Sequence, residues 1–232
     1  MPRLKVENTN SVSEKKALYE KLAASVSEHK KALFEKVLAQ RTRYISLMLE
    51  NIYQGQNISA VLRTADLLGI QDIHIVENYN KYNLNPQVAL GSYKWLNIFR
   101  YNQTDFNTPQ AINNLKAKGY RIVATTPRPS GISIDDFDLG KGKAAFMLGT
   151  ELEGLTDTAM KMADEFVFIP MYGFTESFNI SVSAALLTGI LTRKLRAEGI
   201  DWKLSEEAQW DIRIQWAKKV IFKHTPWHGE QA

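Results

Sequence analysis

From about residue 44 the chain alternates short apolar runs with amphipathic runs, separated by Gly, Asn or Pro, and this alternation restricts the fold more than any other feature. Residues 44–49, 72–76, 121–125, 144–148 and 166–169 read as strands. Residues 58–68, 109–118 and 156–163 read as helices between them, and a long helix over 179–197 is closed by Gly199. Parallel neighbours need a crossover long enough to hold a helix, whereas antiparallel ones need only a turn. The pattern therefore predicts an α/β domain over 44–199, a mostly parallel sheet with helices on both faces.

The two flanks read differently. Ser11-Val12-Ser13-Glu14 has capping-box spacing and opens a stripe of Leu18, Leu22 and Val26, resumed by Leu33 and Val37. One or two helices over 1–43 would carry Lys15, Lys16, Lys21, Lys30, Lys31 and Lys36. Over 200–232, a helix at 205–223 has Glu206, Glu207 and Asp211 first and Lys218, Lys219 and Lys223 last, in the sense of the helix dipole. Its apolar stripe is Trp210, Ile214, Ala217 and Ile221. The formal charge of +4 is unevenly spread. Residues 1–43 hold ten basic and five acidic side chains, residues 44–190 hold 11 and 14, and residues 191–232 hold 8 and 6. Either these helices are simply solvated on their outer faces, or two basic flanks grip a polyanion around an acidic centre.

Several chemistries drop out. With no cysteine there is no disulfide framework, thiolate zinc site or cysteine nucleophile, which suits a reducing cytoplasm. The first 25 residues lack the apolar core of a secretory leader, and no run approaches the ~20 apolar residues of a membrane span. The G-x-G-x-x-G fingerprint is missing. At Gly149–Gly154 a Walker-like spacing is followed by Leu155 and Thr156, without the phosphate-gripping lysine. His29, His74, His224 and His228 are scattered, so neither a metal site nor a Ser-His-Asp arrangement is expected.

Three segments remain that place polar groups at predicted strand ends, where open α/β sheets bind ligands. They are 57–66 (NISAVLRTAD), 146–155 (FMLGTELEGL) and 169–185 (IPMYGFTESFNISVSAA). Singly, each has a structural explanation. Asn57 would cap a helix with Arg63 and Asp66 as a surface pair; Gly149 to Gly154 would be a strand-to-helix turn; Ser177 or Asn179 would cap the long helix.

Together and in this order, they resemble the three motifs of the SpoU branch of the SPOUT superfamily of RNA 2'-O-methyltransferases, over about residues 43–195. Within that branch the chain is most similar to the TrmH group, which acts on guanosine 18 of tRNA, through 57–66, Tyr93-Lys94-Trp95 and the helical flanks. Ser59 stands where many relatives have Gly, Phe178 where Leu is common, and Tyr93 where the group often has His. The resemblance implies a deep trefoil knot in the C-terminal half and S-adenosylmethionine as cofactor. It implies cofactor contacts at Thr125, Thr126, Leu148, Gly149, Ile169, Met171, Phe178 and Asn179, with no metal. Gly149 would let the ligand approach the backbone.

By the same resemblance Arg63 carries the reaction, and Asn57, Glu151, Ser177 and Asn179 arrange it and the ribose. A guanidinium stays protonated, so Arg63 is expected to stabilise the developing alkoxide and a nearby phosphate, with Glu151 as an orienting group. The implied assembly is a homodimer through the 179–197 helix, by way of Ala184, Ala185, Leu186, Leu187 and Ile190. The implied partner is tRNA, held by the helical flanks. Two alternatives stay open: a 2'-O-methyltransferase for rRNA or another tRNA position, and a catalytically silent RNA-binding protein on the same fold. Absence of cysteine excludes the methyltransferases that attack a base through a cysteine adduct.

Overall fold

The computed structural model describes residues 11–127 and 131–222, and the backbone of 230–231. The expectations at Lys223, His224 and His228 lie outside the described residues. The chain divides into two compact units, one within Met1–Arg41 and Lys203–Trp227, the other Thr42–Trp202 with His228–Ala232.

The larger unit is built on the apolar runs. Its strands are β1 (Ile45–Glu50), β2 (Asp72–Val76), β3 (Asn97–Tyr101), β4 (Arg121–Thr125), β5 (Ile132–Ser133), β6 (Ala144–Leu148), β7 (Glu165–Phe168) and β8 (Glu230–Gln231). They form one sheet in the order β5-β7-β4-β6-β1-β2-β3-β8, and every pairing is parallel. All residues of β1, β2 and β6 are buried, as expected of strands covered on both faces. The apolar pattern does not reveal β3, because Asn97 and Arg100 interrupt its run. Asn97 is nonetheless buried, and its amide donates to Asp72 at 2.8 Å. The short β5 and β8 are likewise absent from the pattern.

The helices of this unit are α3 (Gly55–Leu67), α4 (Pro86–Ala89), α5 (Thr108–Ala117), α6 (Asp157–Met162) and α7 (Ile180–Ala197). On one sheet face Met48, Ala145, Met147, Ile122 and Ala124 meet Ala111, Ile112 and Leu115 of α5 and Ala159 of α6. On the other, Phe146 meets Phe137 edge-on at 5.1 Å, and Lys194 of α7 donates to the Phe137 carbonyl at 3.0 Å. At the end of β1 the buried Glu50 carboxylate accepts from the Thr156 amide at 2.8 Å and from the hydroxyls of Thr156 and Thr108. A single charge thus fixes the starts of α5 and α6.

The smaller unit holds α1 (Val12–Ala23), α2 (Glu28–Leu38) and α8 (Glu206–Ile221). The capping box at Ser11 and Glu14 forms as its spacing predicts. Phe34 packs on Trp216 at 5.4 Å and Tyr19 on Trp210 at 5.7 Å. Lys15 is corrected here: it is not a surface cation but 7% exposed, bonded to Glu207 at 2.9 Å and Asp211 at 2.8 Å. Those carboxylates, Asp211 foremost, hold its pKa above the ordinary lysine value. Lys31 pairs with Glu28, whereas Lys16, Lys21 and Lys36 are exposed.

Two features of the larger unit have measurable consequences. His74 on β2 stacks on Phe99 at 4.8 Å and shares a hydrogen bond with the Tyr101 hydroxyl at 2.9 Å. Burial, helped by Lys118, pushes its pKa down to about 3. An unfolded chain takes up this proton near pH 6.5, so unfolding binds protons between about pH 6.5 and 3. The associated stability is complete above that window and is lost as pH falls through it. In urea titrations across pH, His74→Gln is expected to flatten this acid limb, whose slope reaches at most about 1.4 kcal/mol per pH unit. The second feature is the turn after β6, where Thr150 and Gly154 exchange two backbone hydrogen bonds of 3.0 Å. A Cβ on Gly149 would lie 2.1 Å from the Gly154 carbonyl carbon and 2.3 Å from the Leu155 nitrogen. Gly149→Ala is expected to destabilise the protein by about 1–3 kcal/mol in thermal unfolding, as overpacking does.

Candidate active site

The three motif segments meet at the carboxyl edge of the sheet, in the unit formed by 42–202. Asn57 does not cap α3, contrary to the sequence reading. The helix begins at Gly55 with Gln54 in the cap position, and Asn57 is its third residue, its side chain buried. Gln54 makes no side-chain cap bond. Asn57 Nδ2 instead donates to Glu151 in the turn after β6 and to Gln54 Oε1 at 3.3 Å. Its Oδ1 accepts from Asn179 Nδ2 at 3.3 Å.

Asn179 in turn caps α7, its Oδ1 accepting from the Ser181 amide at 2.9 Å and the Ser181 hydroxyl at 2.6 Å. A carboxylate only accepts, so Glu151 determines which end of the Asn57 amide faces it. That leaves the Asn57 oxygen for the Asn179 amine, and the Asn179 oxygen for the start of α7. One polar chain with a fixed direction therefore links the three motifs.

Arg63 is not brought into this chain. On an ideal helix, six residues place it about 9 Å along the axis from Asn57 and about 120° around it. It lies on the exposed face of α3 with Leu67. Ser177 is exposed two residues ahead of the Asn179 cap and does not itself fill the cap position.

The residues expected at the cofactor share one edge, because β6, β4 and β7 are adjacent strands. Thr125 ends β4 and its hydroxyl donates to the Met147 carbonyl at 2.7 Å; the Thr126 amide donates to Val167 at 2.9 Å. Leu148 ends β6, and Ile169 and Met171 follow β7 half-buried. Phe178 is partly exposed before α7. Aliphatic side chains beside threonine hydroxyls at three neighbouring strand ends suit a flat heteroaromatic ring joined to a sugar. Gly149 is required by the turn itself. The space a Cβ would fill is taken by the chain's own backbone at Gly154 and Leu155.

Sequence reasoning missed a pocket of about 380 Å³ beside this cluster, lined by Asn51, Tyr53, Gln54, Tyr79, Asn80 and residues 150–153. Its walls come from loops after β1, β2 and β6, and no periodicity marks such a meeting. The one local signal is Asn51, a residue type tolerant of left-handed backbone, which adopts φ 58°. Among the described residues, no group of three His, Asp or Glu is placed to hold a metal ion. No helix among them is long and apolar enough to cross a membrane.

Comparison with known proteins agrees with this geometry. The SpoU rRNA Methylase family model matches residues 44–189. A tRNA (guanosine(18)-2'-O)-methyltransferase of Borreliella burgdorferi is 42% identical over 181 residues, 78% of this chain and 81% of the relative. The Aquifex aeolicus TrmH/SpoU tRNA modifying enzyme superposes with a TM-score of 0.72 at 26% identity, covering 88% of this chain and 98% of that one. The SpoU methyltransferase AviRb of Streptomyces viridochromogenes, solved with AdoMet, shares the fold at a TM-score of 0.59 and 21% identity, over 71% of this chain and 65% of its own. With the three motifs joined at one sheet edge and a family match over most of the larger unit, this chain is a member of the SpoU methylase family and a methyltransferase.

Proposed function

We propose that this protein methylates the 2'-hydroxyl of guanosine 18 in tRNA, using S-adenosylmethionine. The observation that carries the reading is the Glu151–Asn57–Asn179 chain, which gathers one side chain from each motif beside the cofactor edge. When bound, the cofactor supplies a methyl group on a sulfonium, so the sulfur is a good leaving group and needs no proton. The protein's task is to place the ribose oxygen in line and to manage its proton. The bonds among Glu151, Asn57 and Asn179 tie the three motif segments to one another, a frame against which the ribose is oriented. Arg63 lies outside this polar chain, on the exposed face of α3; its role in this reading is to stabilise the ribose oxygen as it becomes alkoxide-like, together with the adjacent phosphate, once bound tRNA spans both. The hydroxyl proton leaves to a phosphate oxygen or water.

The rest of the reading follows from surfaces. Phe178, Val182 and Leu186 recur every fourth residue and are exposed by 38%, 43% and 37%, an apolar stripe suited to a homodimer through α7. Ala184 and Leu187, expected in that interface from sequence, are buried within the chain's own fold. A knotted C-terminal half belongs to this reading, as membership of the SpoU methylase family implies. The helical unit, with exposed Lys16, Lys21 and Lys36, grips tRNA phosphates without reading bases. A cytoplasmic setting belongs with such a substrate.

Incubation with labelled S-adenosylmethionine and total RNA, followed by mapping of the modified ribose, tests the assignment. Label at guanosine 18 of tRNA is expected, with Arg63→Ala lowering kcat about 100-fold or more. Label confined to rRNA, or to another tRNA position, would replace the proposed substrate; no label would replace the activity. Charge reversal at Lys16, Lys21 and Lys36 is expected to weaken tRNA binding and flatten its dependence on salt, by about 0.9 in log-log slope for each phosphate no longer neutralised.

A further inference from the structure

The pocket beside the motif cluster is built rather than incidental. Asn51 sits in left-handed backbone, and its side-chain oxygen accepts from the amides of Tyr79 at 3.0 Å and Asn80 at 2.8 Å. The Asn80 amide group returns a 2.8 Å bond to the Asn51 carbonyl. These three bonds tie the loop after β2 to the loop after β1. A Cβ on Gly55 would lie 2.0 Å from the Asn83 carbonyl oxygen, so the same loop also presses on the start of α3.

The result is that two tyrosines 26 positions apart line one pocket, 75% and 65% exposed at Tyr53 and Tyr79. Both rings border the concavity and are open to solvent there, so a planar ligand can reach them. The far wall carries Glu151, which bonds Asn57, and Glu153. Glu153 is tethered through its backbone amide to the Thr150 hydroxyl at 3.1 Å, and its carboxylate has no partner among the described residues.

We infer that this pocket receives the nucleobase of the target nucleotide, turned out of the RNA stack, with Tyr53 and Tyr79 offering stacking faces and Glu153 accepting from the base's Watson–Crick edge. RNA readers commonly take unstacked bases on aromatic side chains in this way. The volume suits one base with water. Guanine presents an N1–H and an amino group that a carboxylate can accept together, whereas adenine presents an acceptor at N1. The pocket therefore favours guanine. Glu151 lines the pocket and also bonds Asn57, so the pocket adjoins the motif cluster through that residue. This inference rests on the proposed 2'-O-methylation of a tRNA guanosine.

The test is to measure kcat/KM for tRNA, S-adenosylmethionine affinity and melting temperature in wild type, Tyr53→Ala, Tyr79→Ala, the two Phe counterparts and Glu153→Gln. Each Ala change is expected to lower kcat/KM for tRNA about 5- to 100-fold, the range of one missing base stack, with cofactor affinity and melting temperature unchanged. The Phe counterparts should restore activity. Glu153→Gln should narrow the preference for tRNA with guanosine over adenosine at the target. Ala variants as active as wild type overturn the pocket assignment while the proposed function stands, as do Phe variants as impaired as Ala, or a loss that follows melting temperature. Wild-type protein that labels no tRNA guanosine overturns both.

Discussion

The polar chain Glu151–Asn57–Asn179 is the interaction on which the site depends. Its members come from a helix start, a strand-to-helix turn and a helix cap, separated by 94 and 122 positions along the chain. None of these pieces is a site by itself. Backbone features make their meeting possible: Gly149 lets the turn after β6 fold flat on itself, and Gly55 lets the loop after β2 lie against α3. Side-chain amides then lock the arrangement, because each has one donor and one acceptor end and only one ordering satisfies all partners.

The strands were legible because parallel strands buried on both faces are runs of apolar residues whatever their neighbours do. β2, β4 and β6 fall on the residues expected, and β1 and β7 are displaced by one. β3 was not legible, since Asn97 is buried by virtue of its bond to Asp72, a partner on another strand. Asn57 shows the same limit at the site. An Asn ahead of an apolar helix is a natural cap, but here the helix starts earlier, at a glycine whose need is set by Asn83. The motif residues are legible through resemblance; their hydrogen-bonded order is not, and neither are Tyr53 and Tyr79.

Charge carried less information than its distribution promised. A lysine on an amphipathic helix reads as solvated, yet Lys15 is enclosed by two carboxylates from α8. A cation paired twice with half-exposed carboxylates of α8 ties α1 to that helix. Of the basic excess in the first 43 residues, part is therefore architecture. Glu50 plays the corresponding part in the sheet unit, where one carboxylate gathers two helix starts.

The pairing of Lys15 with Glu207 and Asp211 also bears on how the chain is made. The helical unit is discontinuous: residues 42–202 separate its two halves. At about 5–20 residues per second, α1 and α2 leave the ribosome roughly 10–30 s before α8 is synthesised. During that interval the apolar stripe of the first helices lacks its proper cover, while the strands from β1 to β7 emerge in turn and can assemble. The sheet unit is thus positioned to fold first, and the N-terminal helices must wait for the last helix, a period in which a chaperone has the clearest opportunity to act.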